Sequence, residues 1–263
     1  MKIIKGLLVL CLVTAMLFSV TNVMAVVPYG ATITEEKSET APADSPGSDE
    51  AIAGNVTELT IFGYSTTQSW QGYFGNVSGT IQLADANDNV MYNWSLASPE
   101  GEVYAANQSV TWTHIQCFNF TADGTFGDDS AQAGATSLYG MNLSQLESLF
   151  DIASDDVDGV DETFSLIGPG THDLFYTNNL EFSEGECRNT RIYSDAGKGE
   201  NDKFEEVLLY DPDNKIVVFT SILDEEDVAG FDDAYHDFEM LVLENGHGTD
   251  TQTTTYYFYV ELE

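Results

Sequence analysis

Positively charged residues are few in this sequence. Eight lysine and arginine residues stand against 44 aspartate and glutamate residues, so the formal net charge is −36 at pH 7. Proteins bind nucleic acids and anionic membrane surfaces by replacing counterions with their own cationic groups, and this imbalance argues against both partners. Self-repulsion of this size is tolerated where salt or divalent cations screen it. The composition suits a saline or calcium-rich setting, or simply a very soluble acidic surface.

Catalytic motifs are also missing. The sequence has no Gly-x-Ser-x-Gly elbow, no His-Glu-x-x-His motif and no Gly-x-x-x-x-Gly-Lys loop, and only four histidines. His172 and His236 each precede an aspartate, but neighbouring side chains on a strand point to opposite faces, so neither pair is a ready dyad. No carboxylate pair for glycoside hydrolysis stands out among so many acids. We therefore predict a non-enzymatic protein with no catalytic residues.

Long apolar runs are confined to the N-terminus. Two lysines, an apolar run from Leu7 to Val20 and a small-residue site ending at Ala25 predict a signal peptide over residues 1–25. The glycine before the run, Gly6, also resembles the cleavage site of archaeal prepilins, whose mature subunits keep the hydrophobic helix. An uncleaved anchor from Leu7 to Val27 is the third possibility. With cleavage after Ala25, the mature chain has no membrane span.

Cysteine is scarce, and its count fits an exported chain. Removal of the signal peptide leaves Cys117 and Cys187. An even number of cysteines in an oxidising compartment predicts one disulfide, and two free buried thiols are the alternative. Closing a loop of about 70 residues would stabilise the fold by roughly 4 kcal/mol.

Motifs for asparagine glycosylation are concentrated in one half of the chain. Asn-x-Ser/Thr triplets stop at residue 144, although asparagines continue beyond it. The triplets begin at Asn55, Asn76, Asn93, Asn107, Asn119 and Asn142. They predict N-glycans on exposed loops and strand faces, hence a secreted protein of the cell surface. The alternative is a composition rich in serine and threonine, which creates such triplets by chance.

The start of the mature chain differs from the rest. Residues 26–54 consist of a short apolar segment followed, over residues 34–54, by a polar, acidic stretch that is typical of a flexible linker. An apolar strand on a tether can add to the sheet edge of a neighbouring subunit. The interface candidates in this segment are Val26, Val27, Tyr29 and Ile33. The alternative is that the segment packs on its own domain.

Residues 55–263 carry the signature of a β-sandwich domain. Val90, Tyr92 and Trp94 alternate with polar residues, which predicts a half-buried strand paired with the run that ends at Leu83. Further hairpins are predicted across Pro99–Gly101 and across the turns 211–214 and 244–248. Strands at this spacing, rich in tyrosine and phenylalanine, predict a mainly β fold with an immunoglobulin-like sandwich.

The middle region interrupts this pattern. Residues 142–150 predict a short capped helix with Leu143, Leu146, Leu149 and Phe150 inward. A Gly/Asp-rich stretch at 123–134 is a possible sub-boundary. Because a Cys117–Cys187 bridge would span this stretch, we favour one interwoven unit.

Acidic loops raise the question of a metal. No organic cofactor is predicted, but calcium prefers several oxygen ligands from a loop. The loop 155–162 places Asp156, Asp158 and Asp161 at suitable spacing, although Ser154 and Ser165 depart from the helix-loop-helix calcium motif. Solvated acids without an ion are the alternative.

Arginines follow the second cysteine. Arg188 and Arg191 belong to a small basic group in an otherwise acidic chain. They predict either a cationic spot that docks an acidic region of a neighbouring copy or internal ion pairs.

The segments 204–211, 237–242 and 253–260 resemble those of uncharacterised secreted, β-rich cell-surface proteins of archaea, over about residues 55–262. That resemblance implies a surface location and no particular activity. We predict a structural or assembly subunit of a filament, lattice or adhesion apparatus, which associates with itself or with other surface proteins. An extracellular module that binds glycans or proteins is the alternative, and a pilin-like subunit is a third.

Overall fold

A computed structural model describes residues 27–35, 37–96, 99–120, 141–192, 203–223, 228–248 and 250–262. The predicted signal peptide, Val26 and the predicted sub-boundary at 123–134 lie outside these ranges. Among the helices within them, none is long and apolar enough to cross a membrane.

The described residues are organised mainly as antiparallel strands. The strands are β1 (Tyr29–Gly30), β2 (Trp70–Gly75), β3 (Thr80–Ala84), β4 (Val90–Ser95), β5 (Gly101–Ala106), β6 (Gln116–Cys117), β7 (Phe175–Thr177), β8 (Leu180–Phe182), β9 (Asn189–Arg191), β10 (Glu205–Asp211), β11 (Ile216–Ile222), β12 (Val228–Ala229), β13 (Tyr235–His236), β14 (Phe238–Leu243) and β15 (Tyr257–Leu262). The helices are α1 (Leu143–Leu149), α2 (Val160–Thr163) and a 3-10 turn at Trp112–His114.

The largest sheet has two buried faces. Its order is β1-β15-β5-β11-β10-β6, with β9 also paired to β10. Alternate side chains of a strand point to opposite faces, so each central strand supplies two cores. Leu208 and Phe219 enter one core, whereas Leu209 and Val218 enter the other. This double burial explains why residues 207–210 form a continuous apolar run instead of an alternating one.

A second layer covers each face of this sheet. On one face lie α1 and the ribbon of β2 and β14, which contribute Leu146, Met240 and Val242 to the first core. On the other face lies the β7–β8 hairpin, whose Phe175 and Phe182 rings stack with centroids 4.7 Å apart. The mainly β prediction is confirmed, and the layering is compatible with an immunoglobulin-like sandwich.

α1 begins where the sequence predicts a helix. The Asn142 side chain accepts a hydrogen bond from the Gln145 amide at 3.0 Å, and the Gln145 side chain accepts one from the Asn142 amide at 3.1 Å. This capping box satisfies amides that a helix start leaves unpaired. Leu146 and Phe150 are buried as predicted. Leu149 is 59% exposed, so its predicted inward position is wrong, because it falls beside the apolar stripe rather than on it.

Two hairpin predictions are confirmed, and both have a turn fixed by an aspartate. β10 pairs with β11, and the Asp211 carboxylate accepts hydrogen bonds from the Asp213 and Asn214 amides. β3 pairs with β4 through a turn in which Asp85 accepts a hydrogen bond from the Asn89 amide. Bonds of this kind fix a turn locally, so the residues of the turn are enough to predict it.

Two other predicted hairpins are wrong. β14 pairs with β2, and β15 pairs with β5 and β1, so the described strands β14 and β15 do not form a hairpin. β4 and β5, expected to pair across Pro99–Gly101, belong to different sheets. β14, β15 and β5 take partners distant in sequence, which buries their apolar faces.

The predicted disulfide is confirmed. Cys117 on β6 is bonded to Cys187, with Cα atoms 5.3 Å apart, and both are buried in the second core. The Cys187 amide donates a hydrogen bond to Nε2 of His172 at 3.1 Å. The bond therefore ties one edge of the central sheet to the loop that precedes β9.

Candidate functional site

The N-terminal segment occupies an edge of the central sheet. β1 pairs antiparallel with β15, with Tyr29 opposite Val260, and the Ala31 amide donates to the Phe258 carbonyl at 2.9 Å. β1 has only two residues, whereas β15 has six. Among the described strands, no other one pairs with this side of β15. The rest of that edge is therefore available for strand addition.

The predicted interface side chains of this segment face solvent. Val27, Tyr29 and Ile33 are 45%, 70% and 63% exposed. Main-chain bonds to β15 and the buried Pro28 attach the segment, and its exposed apolar side chains remain available for a further contact.

A long exposed connection follows β1. Residues 31–35 and 37–68 are all exposed and belong to none of the described strands. Ser69, just before β2, is buried, so packing into the body begins later than the predicted linker end at residue 54. As a flexible coil, residues 31–69 would span roughly 35 Å. β1 is thus joined to the body by a tether, not by a tight turn.

The two arginines are held within the fold. Arg191 is only 5% exposed, and its guanidinium donates to Oε1 of Glu205 at 3.1 Å and to the Gly170 carbonyl at 2.6 Å. Burial raises the pKa of Glu205, and the bond from Arg191 opposes that rise. The Arg188 guanidinium lies 5.2 Å from the centre of the Phe120 ring. Arg191 therefore matches the alternative prediction, an internal ion pair. Neither arginine is part of the proposed interface.

The glycosylation motifs divide by exposure. The exposed asparagines are Asn55, Asn76 and Asn93. Asn107 is half-buried, Asn142 caps α1, and Asn119 is only 3% exposed between the buried rings of Phe118 and Phe120. A glycan on Asn119 would have to displace part of the core, whereas the three exposed positions leave room for one.

The β3–β4 hairpin is exposed on both faces, so its predicted half-buried pattern is wrong. Tyr92 and Trp94 are 59% and 49% exposed, and their ring centroids lie 4.8 Å apart. Ile81 and Leu83 stand directly opposite them on β3. The alternation therefore creates an apolar face that is open to solvent, with Asn93 on the other side.

An acidic cluster lies between the two helices. Carboxylate oxygens of Glu147, Asp161 and Glu162 all lie within 4.8 Å of one another. Glu147 is on α1 and is 3% exposed, whereas the other two are on α2. Burial, with the negative charges of Asp161 and Glu162, raises the pKa of Glu147 to about 7. Of the predicted metal ligands, Asp161 is the one in this cluster.

The other two predicted ligands have structural bonds. The Asp156 carboxylate accepts a hydrogen bond from the Ala153 amide at 2.7 Å. The Asp158 carboxylate accepts one from the Thr67 hydroxyl at 2.5 Å, and its carbonyl accepts one from the Trp70 indole at 2.7 Å. The loop 150–159 therefore holds the end of the tether against the body.

Sequence reasoning missed Glu147. The spacing of acidic residues within a loop suggests only ligands that are close together in the sequence. Glu147 lies outside the loop, on the preceding helix. Glu147 follows Leu146 on the buried side of α1. Burying a carboxylate without a partner costs free energy, and this position is the feature of the sequence that could have identified it.

A second buried carboxylate lies beneath β14. Glu206 is fully buried, and its Oε2 accepts a hydrogen bond from the Leu241 amide at 2.9 Å. Among the described residues, no group bonds its Oε1. Burial raises the pKa of Glu206 well above its ordinary value, and the bond from Leu241 opposes that rise.

Comparisons with protein-family models, with curated proteins and with solved structures found no match to this chain.

Proposed function

We propose that this protein is an exported, N-glycosylated and non-enzymatic subunit of a cell-surface assembly, in which β1 links one subunit to the next. The observation that carries the proposal is a two-residue strand on the edge of β15, attached through an exposed tether. The same main-chain bonds can form with β15 of a neighbouring copy, which is strand exchange between identical subunits. The N-terminal signals and the disulfide support export.

The length of the tether and the net charge of the chain both affect strand exchange. The tether's span of roughly 35 Å is comparable to the diameter of a domain of this size, whose radius of gyration is about 16 Å. A strand on such a tether can therefore reach an adjacent subunit. Each mature copy would have a net charge of −38, since cleavage after Ala25 removes Lys2 and Lys5 from a full sequence of −36, so neighbours repel one another until salt screens that charge. Assembly should therefore increase with ionic strength.

A single proline tests the exchange. Ala31→Pro removes the amide that bonds the Phe258 carbonyl, and one such bond is worth about 1 kcal/mol. Because the same bond forms within one copy and between copies, the variant should release β1 faster in both, and we expect its assemblies in high salt to dissociate about fivefold faster on dilution, measured by analytical ultracentrifugation and by negative-stain microscopy at timed intervals. Ser38→Pro, within the exposed tether, is the matched control and should assemble like the unmodified protein.

A cysteine pair separates exchange from pairing within one copy. Tyr29 and Val260 are directly opposite, so Tyr29→Cys with Val260→Cys should form a disulfide where β1 docks. Exchange predicts a ladder of covalent multimers from assembled protein, whereas pairing within one copy gives only cross-linked monomers. A protein that stays monomeric under all salt conditions, with or without Ala31→Pro, would refute the proposal.

The exposed face of the β3–β4 hairpin favours a second candidate function, the binding of glycans. Flat aromatic side chains such as Tyr92 and Trp94 pack against the apolar faces of sugar rings, and Trp94 is the most exposed tryptophan of the described chain. This function predicts saturable quenching of tryptophan fluorescence by cell-surface glycans and its loss in Trp94→Ala. Gln82→Ala, on the opposite face of the hairpin, is the control. An unchanged titration in Trp94→Ala would count against this candidate.

A further inference from the structure

We propose that Glu147, Asp161 and Glu162 bind a hard divalent cation, calcium before magnesium, between α1 and α2. The cluster offers one oxygen from each of three carboxylates within 4.8 Å of one another. This inference does not depend on strand exchange, since the site lies on the two helices and not at the sheet edge.

The buried oxygen of Glu147 points to a ligand. Glu147 is 3% exposed, and its Oε1 has no hydrogen-bond partner among the described residues. A buried carboxylate oxygen without a partner costs the full desolvation of that atom, and a bound cation removes this cost. The unpartnered atom lies on the side of Gly159 and the Glu162 carboxylate.

The position of Gly159 shows where the oxygens converge. A Cβ atom added there would lie 2.5 Å from Oε2 of Glu162, 3.2 Å from the Asp156 carbonyl and 3.4 Å from Oε1 of Glu147. The backbone at Gly159 is extended, with φ of −66°, so an added methyl group would crowd this space without straining the backbone. Two carboxylates and a main-chain carbonyl thus border the same small space.

The ligand chemistry favours calcium. Carboxylate and main-chain carbonyl oxygens are the ligands of hard cations, and calcium accepts an irregular set of them completed by water. Magnesium requires near-ideal octahedral geometry at shorter distances, which a set drawn from two helices and a loop does not readily provide. The three negative charges would be largely neutralised by the ion.

The site would stabilise a junction of the molecule. A bound cation would link α1 to α2 and restrict the motion of the loop between them. That loop also holds Thr67 and Trp70 through Asp158, so the ion would fix the point at which the tether meets the body.

The test uses the full chain, freed of metal with a chelator and titrated with calcium chloride by calorimetry. We expect one calcium ion per chain with a Kd of about 10⁻⁴ to 10⁻³ M, the range of extracellular modules. The unfolding temperature should rise at calcium concentrations about a hundredfold above Kd. The titration is repeated in high sodium chloride, where screening abolishes diffuse binding but not a site.

Two variants and a control make the test specific. Glu162→Gln alters an exposed side chain and removes one ligand charge, and should weaken calcium binding by at least about tenfold. Gly159→Ala should also weaken it without changing any charge. Asp151→Asn removes an exposed charge from the same loop and should leave Kd unchanged within about twofold.

Glu147→Gln adds a contrast in stability. Without calcium it should be at least as stable as the unmodified protein, because a buried charge is gone, whereas calcium should stabilise only the unmodified protein. The proposal is overturned if calcium causes no shift in the unfolding temperature, or if Glu162→Gln and Asp151→Asn bind calcium equally well.

Discussion

Glu206→Gln is expected to make the protein more stable at neutral pH and to leave its stability nearly unchanged at about pH 4. Burial raises the pKa of Glu206, so the folded protein keeps this proton while the unfolded chain releases it above an ordinary pKa of about 4.3. The folded state then binds more protons, and the free energy of unfolding falls as pH rises toward the folded pKa. Glutamine cannot ionise, so the variant escapes this loss.

The expected gain is large for one atom exchanged. Each pH unit between the ordinary and the raised pKa costs up to about 1.4 kcal/mol, so we expect the gain of the variant to grow with pH at up to that rate. Urea unfolding of both proteins from acidic to neutral pH measures the difference. Glu100→Gln, at an exposed position, is the control and should change little. A gain that is the same at every pH would contradict the explanation.

Replacing both Cys117 and Cys187 with alanine is expected to cost the most stability. The bond closes a loop across 70 positions, which corresponds to about 4 kcal/mol in the chain-entropy model. For a domain of this size the loss lowers the unfolding temperature by about 10 °C. Calorimetry of the oxidised protein and the variant measures it.

Reduction supplies the matching control for the disulfide. A reductant should lower the unfolding temperature of the unmodified protein toward that of the double variant and have no effect on the variant. If the double variant unfolds within about 2 °C of the oxidised protein, the bond is not a main source of stability.

Local chemistry made part of the fold predictable. Asn142 and Gln145 specify the start of α1 within four residues, and Asp211 specifies a turn through its own neighbours. Pairings between distant strands could not be predicted in this way. β14 found β2 and β15 found β5, because the choice depends on which apolar faces can be buried together, and that is a property of the assembled core.

The candidate sites follow the same division. The tethered N-terminal strand was visible in the sequence, since an apolar segment before a polar, acidic stretch has a local signature. The sequence did not reveal which edge it would use, because Val260 lies at the far end of the chain. Asp161 was identified from its loop, whereas Glu147 was missed because the fold, and not the spacing, brings them together.

The exposed tether gives the proposed assembly a mechanical character. If β1 of each subunit docks on the next, a pulling force passes through a few main-chain hydrogen bonds and through residues 31–69. That segment would behave as an entropic spring, roughly 35 Å long at rest and about 130 Å when drawn straight. The folded bodies would therefore keep their shape under load while the spacing between them lengthens.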